Sequence, residues 1–340
     1  MKLKLDTTKY SLVENILDKY TLCLDCLNRQ LTTENIPVNY SKNIKFKPST
    51  SCFICRNLLS TVDRQVNNIL VALVGYEYEN FVVGISLPGE IVENEDKVRS
   101  TFKLKGGISI KNDFGRRITT LLEKKTGKFR KIGDPDITIL VRPMVGEVGI
   151  HSRSILLYGR YVKKIRGLRQ KKRRCRWCMG VGCGECSKTE ITYEPSIEEK
   201  LSEHILHKFN CKSVKFTWIG SEDVNSLVLG DGRPFYSEII EPKIRCLSGF
   251  NFSRSDGVYI SKAVLVDKRK LHLIEFIFEA SVHLSIEKKI SKAKLMELED
   301  FFRDIEVELR PVGKNKVLIR RIHELSIISM SGKNIEIKIR

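Results

Sequence analysis

The segment FTWIGSEDVNSLVLGDGRPF, residues 216–235, sets the reading of the whole chain. Phe216, Trp218 and Ile219 begin as a strand, and Gly220 breaks it. Two carboxylates, Glu222 and Asp223, follow the break at once. A second apolar run, Leu227 to Leu229, then leads into Gly230-Asp231-Gly232-Arg233-Pro234-Phe235. That is turn chemistry, with an arginine held between glycine and proline. The acidic pair stands out because its surroundings are basic: 60 Lys+Arg oppose 41 Asp+Glu, a formal charge of +19.

A chain of 340 residues allows two or three domains, and 41% hydrophobic residues supply packed cores. The basic excess points to a polyanionic partner, with nucleic acid first. No apolar run approaches the roughly 20 residues needed to cross a bilayer. The longest, ILVALVG from Ile69, has the length of a strand, and the N-terminus lacks a signal-peptide core. The chain therefore reads as a soluble, monomeric, cytoplasmic protein with no membrane partner. Thiols stay reduced there, so ten cysteines call for a role other than disulfides.

Eight of them form Cys-x-x-Cys pairs: Cys23/Cys26, Cys52/Cys55, Cys175/Cys178 and Cys183/Cys186. Two intervening residues let both thiolates of a pair face one metal, and two pairs complete a tetrahedral Zn2+ shell. Cys23, Cys26, Cys52 and Cys55 are expected to close a small N-terminal module. Cys175, Cys178, Cys183 and Cys186 crowd into CRWCMGVGCGEC, where glycines let a short loop fold back. One or two structural zinc ions are expected and no organic cofactor. Cys211 and Cys246 read as small buried hydrophobes.

Residues 66–161 offer strand-like runs around one helix, NDFGRRITTLLEKKTG, whose Gly127 marks its end. The run GRYVKKIRGLRQKKRR, residues 159–174, carries nine basic residues and no acid. It is a path suited to phosphates. PSIEEKLSEHILHKF is a helix opened by a Ser196/Glu199 capping box. Alternating segments dominate the rest, interrupted by the helix SKAKLMELEDFFRDI. Phosphate-loop, nucleophile-elbow and His-Glu-x-x-His motifs are absent. Any chemistry falls to Asp, Glu, Arg, Lys or Tyr.

Gly220-Ser221-Glu222-Asp223 followed by LVLGDGRPF resembles the active-site segment of the archaeal and eukaryotic tRNA pseudouridine synthases that act on the TΨC arm. DPDITILVRPMVGEVGIHSRSILLYGRYVKKIRGLRQ, residues 134–170, is similar to the end of that family's RNA-binding THUMP-type domain, and both cysteine clusters occur in archaeal members. The resemblance implies an α+β chain in four parts. These are an N-terminal zinc-binding module at 1–62, a THUMP-like α/β RNA-binding domain at 63–170, a second Cys-rich knuckle or linker at 171–190, and a pseudouridine-synthase-like catalytic domain with a mixed or antiparallel sheet at 191–340. It implies an isomerase with Asp223 as nucleophile, acting on tRNA held by its TΨC arm and acceptor end. Tyr259, Arg233, Arg160, Lys163, Lys164 and Arg166 are expected to bind the substrate, and Glu222 to be structural. Ser221, Asn225 and Leu227 depart from the family pattern, and the C-terminal part reads as shortened. The alternative is a non-catalytic zinc-containing tRNA-binding protein or chaperone that keeps the fold.

Overall fold

The computed structural model describes residues 7–31 (side chains from residue 11), 51–105, 107–172, 184, 196–248, 257–267, 276–310 and 317–340. The chain divides into two compact units, Met1–Lys270 and Leu271–Arg340. Among the described residues no helix is long and apolar enough to cross a membrane.

The larger unit begins with two helices, α1 (Thr7–Lys19) and α2 (Leu24–Leu31). A 3-10 turn, Leu58–Thr61, opens into α3 (Val62–Ala72). The ILVALVG run, expected as a strand, is therefore the end of a helix. Val66, Ile69 and Leu73 recur at helical spacing and are buried, whereas Val71 and Val74 are each 74% exposed. A strand would have placed Ile69, Val71 and Leu73 on one face, which burial here separates.

The first sheet follows. It consists of β1 (Asn80–Ile85), β2 (Phe129–Arg130), β3 (Ile137–Arg142) and β4 (Glu147–Ser152), in the order β2-β1-β3-β4. β1 runs parallel to β2 and β3, and β4 pairs antiparallel to β3. The parallel pairing needs a long crossover, and α4 (Gly89–Thr101) with α5 (Ile110–Thr126) supplies it. α5 forms as expected. Ser109 accepts the Asn112 N–H as N-cap, Ile110, Phe114, Ile118 and Leu122 are buried at i, i+4 spacing, and Gly127 ends it at φ 69°. These side chains meet Phe81, Ile85, Ile137, Ile139 and Val141 in one core that also contains Val13, Ile16 and three of the N-terminal cysteines. Each such burial contributes roughly 1.5–3 kcal/mol. The N-terminal cysteine module and the first sheet thus share a single core, with no core boundary at residue 62.

The second sheet is antiparallel throughout: β6 (Ser213–Trp218), β7 (Val228–Ile240), β5 (Ile155–Lys163) and β8 (Val258–Val266), in the order β6-β7-β5-β8. β5 was expected to close the domain before it. It is instead a central strand here, hydrogen-bonded on both sides. Helix α6 (Ile197–Phe209) covers one face with Ile197, Leu201, Ile205 and Phe209, and carries the expected capping box. Leu157, Tyr161, Phe235 and Ile239 meet it. Gly159 is required by packing, because a Cβ there would lie 2.5 Å from the Phe235 ring.

The smaller unit holds a three-stranded antiparallel sheet, β12 (Leu325–Ser331), β13 (Asn334–Ile339) and β9 (Ala280–Ser285), in that order. Helix α7 (Lys292–Phe301) packs Leu295 against Leu325, Ile335 and Ile337. A ribbon of β10 (Ile305–Leu309) and β11 (Leu318–Ile322) completes it.

Within the larger unit a polar seam joins the two sheets. Glu77 donates its N–H to the Lys243 carbonyl at 2.7 Å, and its carboxylate accepts the Arg245 N–H at 2.7 Å. Cys246, expected as a buried hydrophobe, has its thiol 3.6 Å from Glu77 and 2.9 Å from the Ser248 hydroxyl. Asp136 accepts from the Glu79 N–H at 3.0 Å and Arg153 at 2.9 Å, with Arg245 3.5 Å away. Burial works to raise the Asp136 pKa, but the amide and the two guanidinium groups outweigh it and hold the carboxyl below its usual range. A depressed carboxyl contributes stability above its unfolded pKa, about 4, and loses that contribution as pH falls through the folded value. Asp136→Asn should therefore lower stability by about 1.5–3 kcal/mol at pH 7, and the gap to wild type should close towards pH 3. Urea unfolding at both pH values reads this directly.

Candidate active site and metal centre

Asp223 heads a turn. Its Oδ1 accepts the Asn225 N–H at 2.8 Å, and its carbonyl accepts the Ser226 N–H at 3.1 Å and the Ser226 hydroxyl at 2.8 Å. The residue is exposed. Its neighbour is the opposite: the Glu222 side chain is 1% exposed. An isolated buried carboxylate would cost several kcal/mol, and three groups compensate it. The Lys163 ammonium is 2.9 Å from Oε1, the Tyr161 hydroxyl donates to Oε2 at 2.7 Å, and Arg233 Nε is 3.6 Å from Oε2. Gln170 in turn donates to the Tyr161 hydroxyl at 3.1 Å. Burial first, and then the bond to Glu222, push the Tyr161 phenol well above its ordinary range.

Two glycines shape the neighbouring GDGRPF turn. Between Tyr161↔Arg233 and Lys163↔Val228 the β5–β7 register shifts, so Leu229 to Gly232 leave the ladder. Gly230 and Gly232 have φ of 59° and 85°, and a Cβ on Gly232 would lie 2.5 Å from the Tyr161 carbonyl oxygen. Arg160 Nε donates to the Asp231 and Gly232 carbonyls at 3.2 and 3.0 Å, and Ser261 donates to the Asp231 carbonyl at 2.7 Å. The excursion is pinned from two strands.

The residues expected at the substrate thus separate into groups. Asp223 is exposed on its turn, as a nucleophile requires. Arg166 is exposed, and its guanidinium reaches the Asn225 carbonyl on the same turn. Lys164 is exposed, with its ammonium 5.8 Å from the Tyr259 ring. Tyr259 itself is half-buried on β8, opposite Val162. Arg233 donates to the Ser221 carbonyl at 3.2 Å with its side chain 19% exposed, and Arg160 holds the glycine turn. Lys163 is the correction. Expected on a phosphate, its side chain is 0% exposed, because β5 turns it inward beside Glu222 and three backbone carbonyls. Tyr161 and Gln170 were not singled out as site residues. Tyr161 shares the inward face of β5 with Leu157 and Gly159, a period-two signal; Gln170 gave none.

At the other end of the unit, Cys23, Cys26, Cys52 and Cys55 bring their sulfur atoms within 4.8 Å of one another, with Cys23 and Cys55 at 3.7 Å. Four Zn–S bonds of about 2.3 Å at tetrahedral angles place sulfurs roughly 3.8 Å apart, so the donor set fits one metal ion. The Phe53 N–H bonds the Thr21 carbonyl at 2.7 Å and ties the two knuckles together. Arg56 and Asn57 adopt φ of 47° and 65°, letting Asn57 Oδ1 accept the Cys52 N–H at 3.3 Å. Arg29 donates to Cys26 Sγ at 3.3 Å and pairs with Glu95. Cys175, Cys178, Cys183 and Cys186 lie outside the described residues.

Comparison with known proteins separates the same two sheets. The family model "Pus10 THUMP domain, archaeal" matches residues 66–142, and "Pus10, C-terminal" matches residues 156–307. The first region is thus a THUMP domain, and the second contains Asp223. The tRNA pseudouridine synthase Pus10 of Nitrosopumilus maritimus is 37% identical over 242 residues, which are 69% of this chain and 63% of that protein. The Pus10 of Cenarchaeum symbiosum is 31% identical over 277 residues, covering 79% of this chain and 68% of that one. The Pus10 of Methanothrix thermoacetophila is 28% identical over 315 residues, 85% and 68% of the two chains. The chain belongs to the Pus10 family, and it spans about two thirds of the length of these relatives.

The four-cysteine site predicts a specific metal content. Cys52→Ala and Cys55→Ala should each lose one zinc per chain relative to wild type by elemental analysis. Because the cysteines share the core of the first sheet, both variants should also unfold at lower temperature. A wild type without zinc, or variants that retain it, would remove the metal from this account.

Proposed function

We propose that this protein is a tRNA pseudouridine synthase that isomerises uridine in the TΨC arm, with Asp223 as the nucleophile. The observation that carries the reading is the exposed Asp223 carboxylate on a fixed turn, above a buried Glu222–Lys163 pair, within the segment matched by the Pus10 C-terminal model. The resemblance of Gly220–Phe235 to the family's active-site segment supports the same residue, and the names of the relatives support the reaction.

The chemistry suits the groups present. Uridine and pseudouridine are isomers: the N1–C1′ bond breaks, a C5–C1′ bond forms, C5 loses its proton and N1 gains one. No oxidant or reductant is needed. A carboxylate that attacks the nucleoside splits this exchange into two easier steps. The target base must leave its stack to reach Asp223, at a cost of a few kcal/mol. Exposed Lys164, Arg166, Arg169, Lys171 and Lys172 supply phosphate contacts close in sequence to the site. The THUMP domain would hold the acceptor end while the Asp223 turn reaches the T arm, and zinc would stabilise the N-terminal module. Such work on tRNA fits a cytoplasmic, monomeric enzyme.

Tritium at uridine C5 of an unmodified tRNA transcript is released on isomerisation. Wild type should release it, and Asp223→Ala should be slower by more than about 10^3-fold at unchanged tRNA affinity. Tight binding with no release by wild type would sink the catalytic reading and leave a tRNA-binding relative.

A further inference from the structure

The isomerisation uses an exposed carboxylate, yet the most deeply buried charge in its neighbourhood is a lysine. Lys163 ends β5 with its side chain wholly buried. Its ammonium lies 2.9 Å from Glu222 Oε1 and 3.3 Å from each of the carbonyl oxygens of Leu168, Asp223 and Val224. Two of those carbonyls belong to the proposed nucleophile and the residue after it. The same segment reaches that turn twice more: the Gly167 N–H bonds the Val224 carbonyl at 3.0 Å, and Arg166 bonds the Asn225 carbonyl.

We infer that Lys163 is a positioning residue for Asp223, an inference that rests on the synthase reading above. The ammonium clamps the two peptide groups that flank Val224, Asp223–Val224 and Val224–Asn225. The turn that follows then presents the Asn225 N–H to Asp223 Oδ1 in one arrangement, which fixes the carboxylate rotamer. Glu222 neutralises the clamp, and Tyr161 with Gln170 hold Glu222 in place. A stabilising role alone would not need a cation. An apolar side chain of similar volume fills a buried ion-pair site at little or no loss of stability, but it offers no donor to the Asp223 carbonyl. Reacting groups misplaced by about 1 Å lose about 100-fold in rate, which is the scale on which such a clamp matters.

The test uses the full chain with Lys163→Met/Glu222→Gln, which removes the two charges of the buried pair together, while Arg233, partly exposed, keeps its bond to the Ser221 carbonyl. Its single-turnover tritium release should be about 100-fold slower than wild type. The tRNA dissociation constant should stay within about twofold, since neither side chain is exposed to RNA. Amide exchange at Asn225 and Ser226 should be faster than in wild type while the rest of the second sheet stays protected. A wild-type rate in the double variant overturns the inference, as does a slow rate with unchanged exchange at Asn225 and Ser226. Should the double variant not fold at the assay temperature, Lys163→Arg keeps the charge but offers it as a planar fork. It should show slower release with faster exchange at the turn, and a wild-type rate despite faster exchange overturns the inference. Failure of the synthase reading is visible separately, as a wild type that releases no tritium.

Discussion

Glu222 is the constraint around which the second sheet is arranged. A carboxylate that far from water needs positive charge and donors already in place, and these come from separate parts of the chain. Lys163 and Tyr161 lie two residues apart on β5, on either side of a register shift in its pairing with β7. Arg233 comes from β7 after the glycine excursion. Gln170 comes from the stretch that leads towards α6. Each can serve Glu222 only if β5 is central in its sheet and the excursion bulges where it does. Gly232, with no room for a Cβ against the Tyr161 carbonyl, is part of the same requirement. The acidic pair at the strand end thus divides its labour. Glu222 faces inward and fixes the architecture, and Asp223 faces outward with its carboxylate available.

A buried carboxylate, Glu95, plays the corresponding part for the first core. Glu95 is 2% exposed and takes Arg29, Gln30 at 2.7 Å and the Ile110 N–H at the start of α5. An anion at a helix N-terminus is favourable there. Arg29 also touches Cys26, so α2, α4, α5 and the cysteine cluster meet through one polar contact set. This explains why the N-terminal cysteine module and the THUMP domain form one core.

Much of this was legible in the sequence, and the failures have definite causes. α5, α6 and α7 were readable because capping residues and apolar period agree over long windows. The four N-terminal cysteines were readable because metal ligands repeat a spacing. The ILVALVG run misled because a short apolar run has no period of its own, and burial of Val66, Ile69 and Leu73 decided it. β5 was misassigned because residues 134–170 read together as the end of the THUMP-like domain, whereas its partners lie at residues 228–239 and 258–266. Lys163 was read with the basic run around it. Composition cannot say which one of the basic residues Lys163, Lys164 and Arg166 points inward; strand alternation could have, once β5 was recognised as central.

The departures from the family pattern can be weighed in the same terms. Ser221 contributes its backbone carbonyl, which accepts from Arg233 at 3.2 Å. A backbone contact survives a change of side chain, so the seat of Arg233 beside Glu222 does not depend on what residue 221 is. Likewise Asn225 binds the Asp223 carboxylate through its N–H, and any residue except proline supplies that donor. The turn that carries Asp223 is therefore held by groups insensitive to the substitutions at 221 and 225. Its two demanding positions lie elsewhere, at Glu222 and Lys163, where charge, length and burial must all match at once.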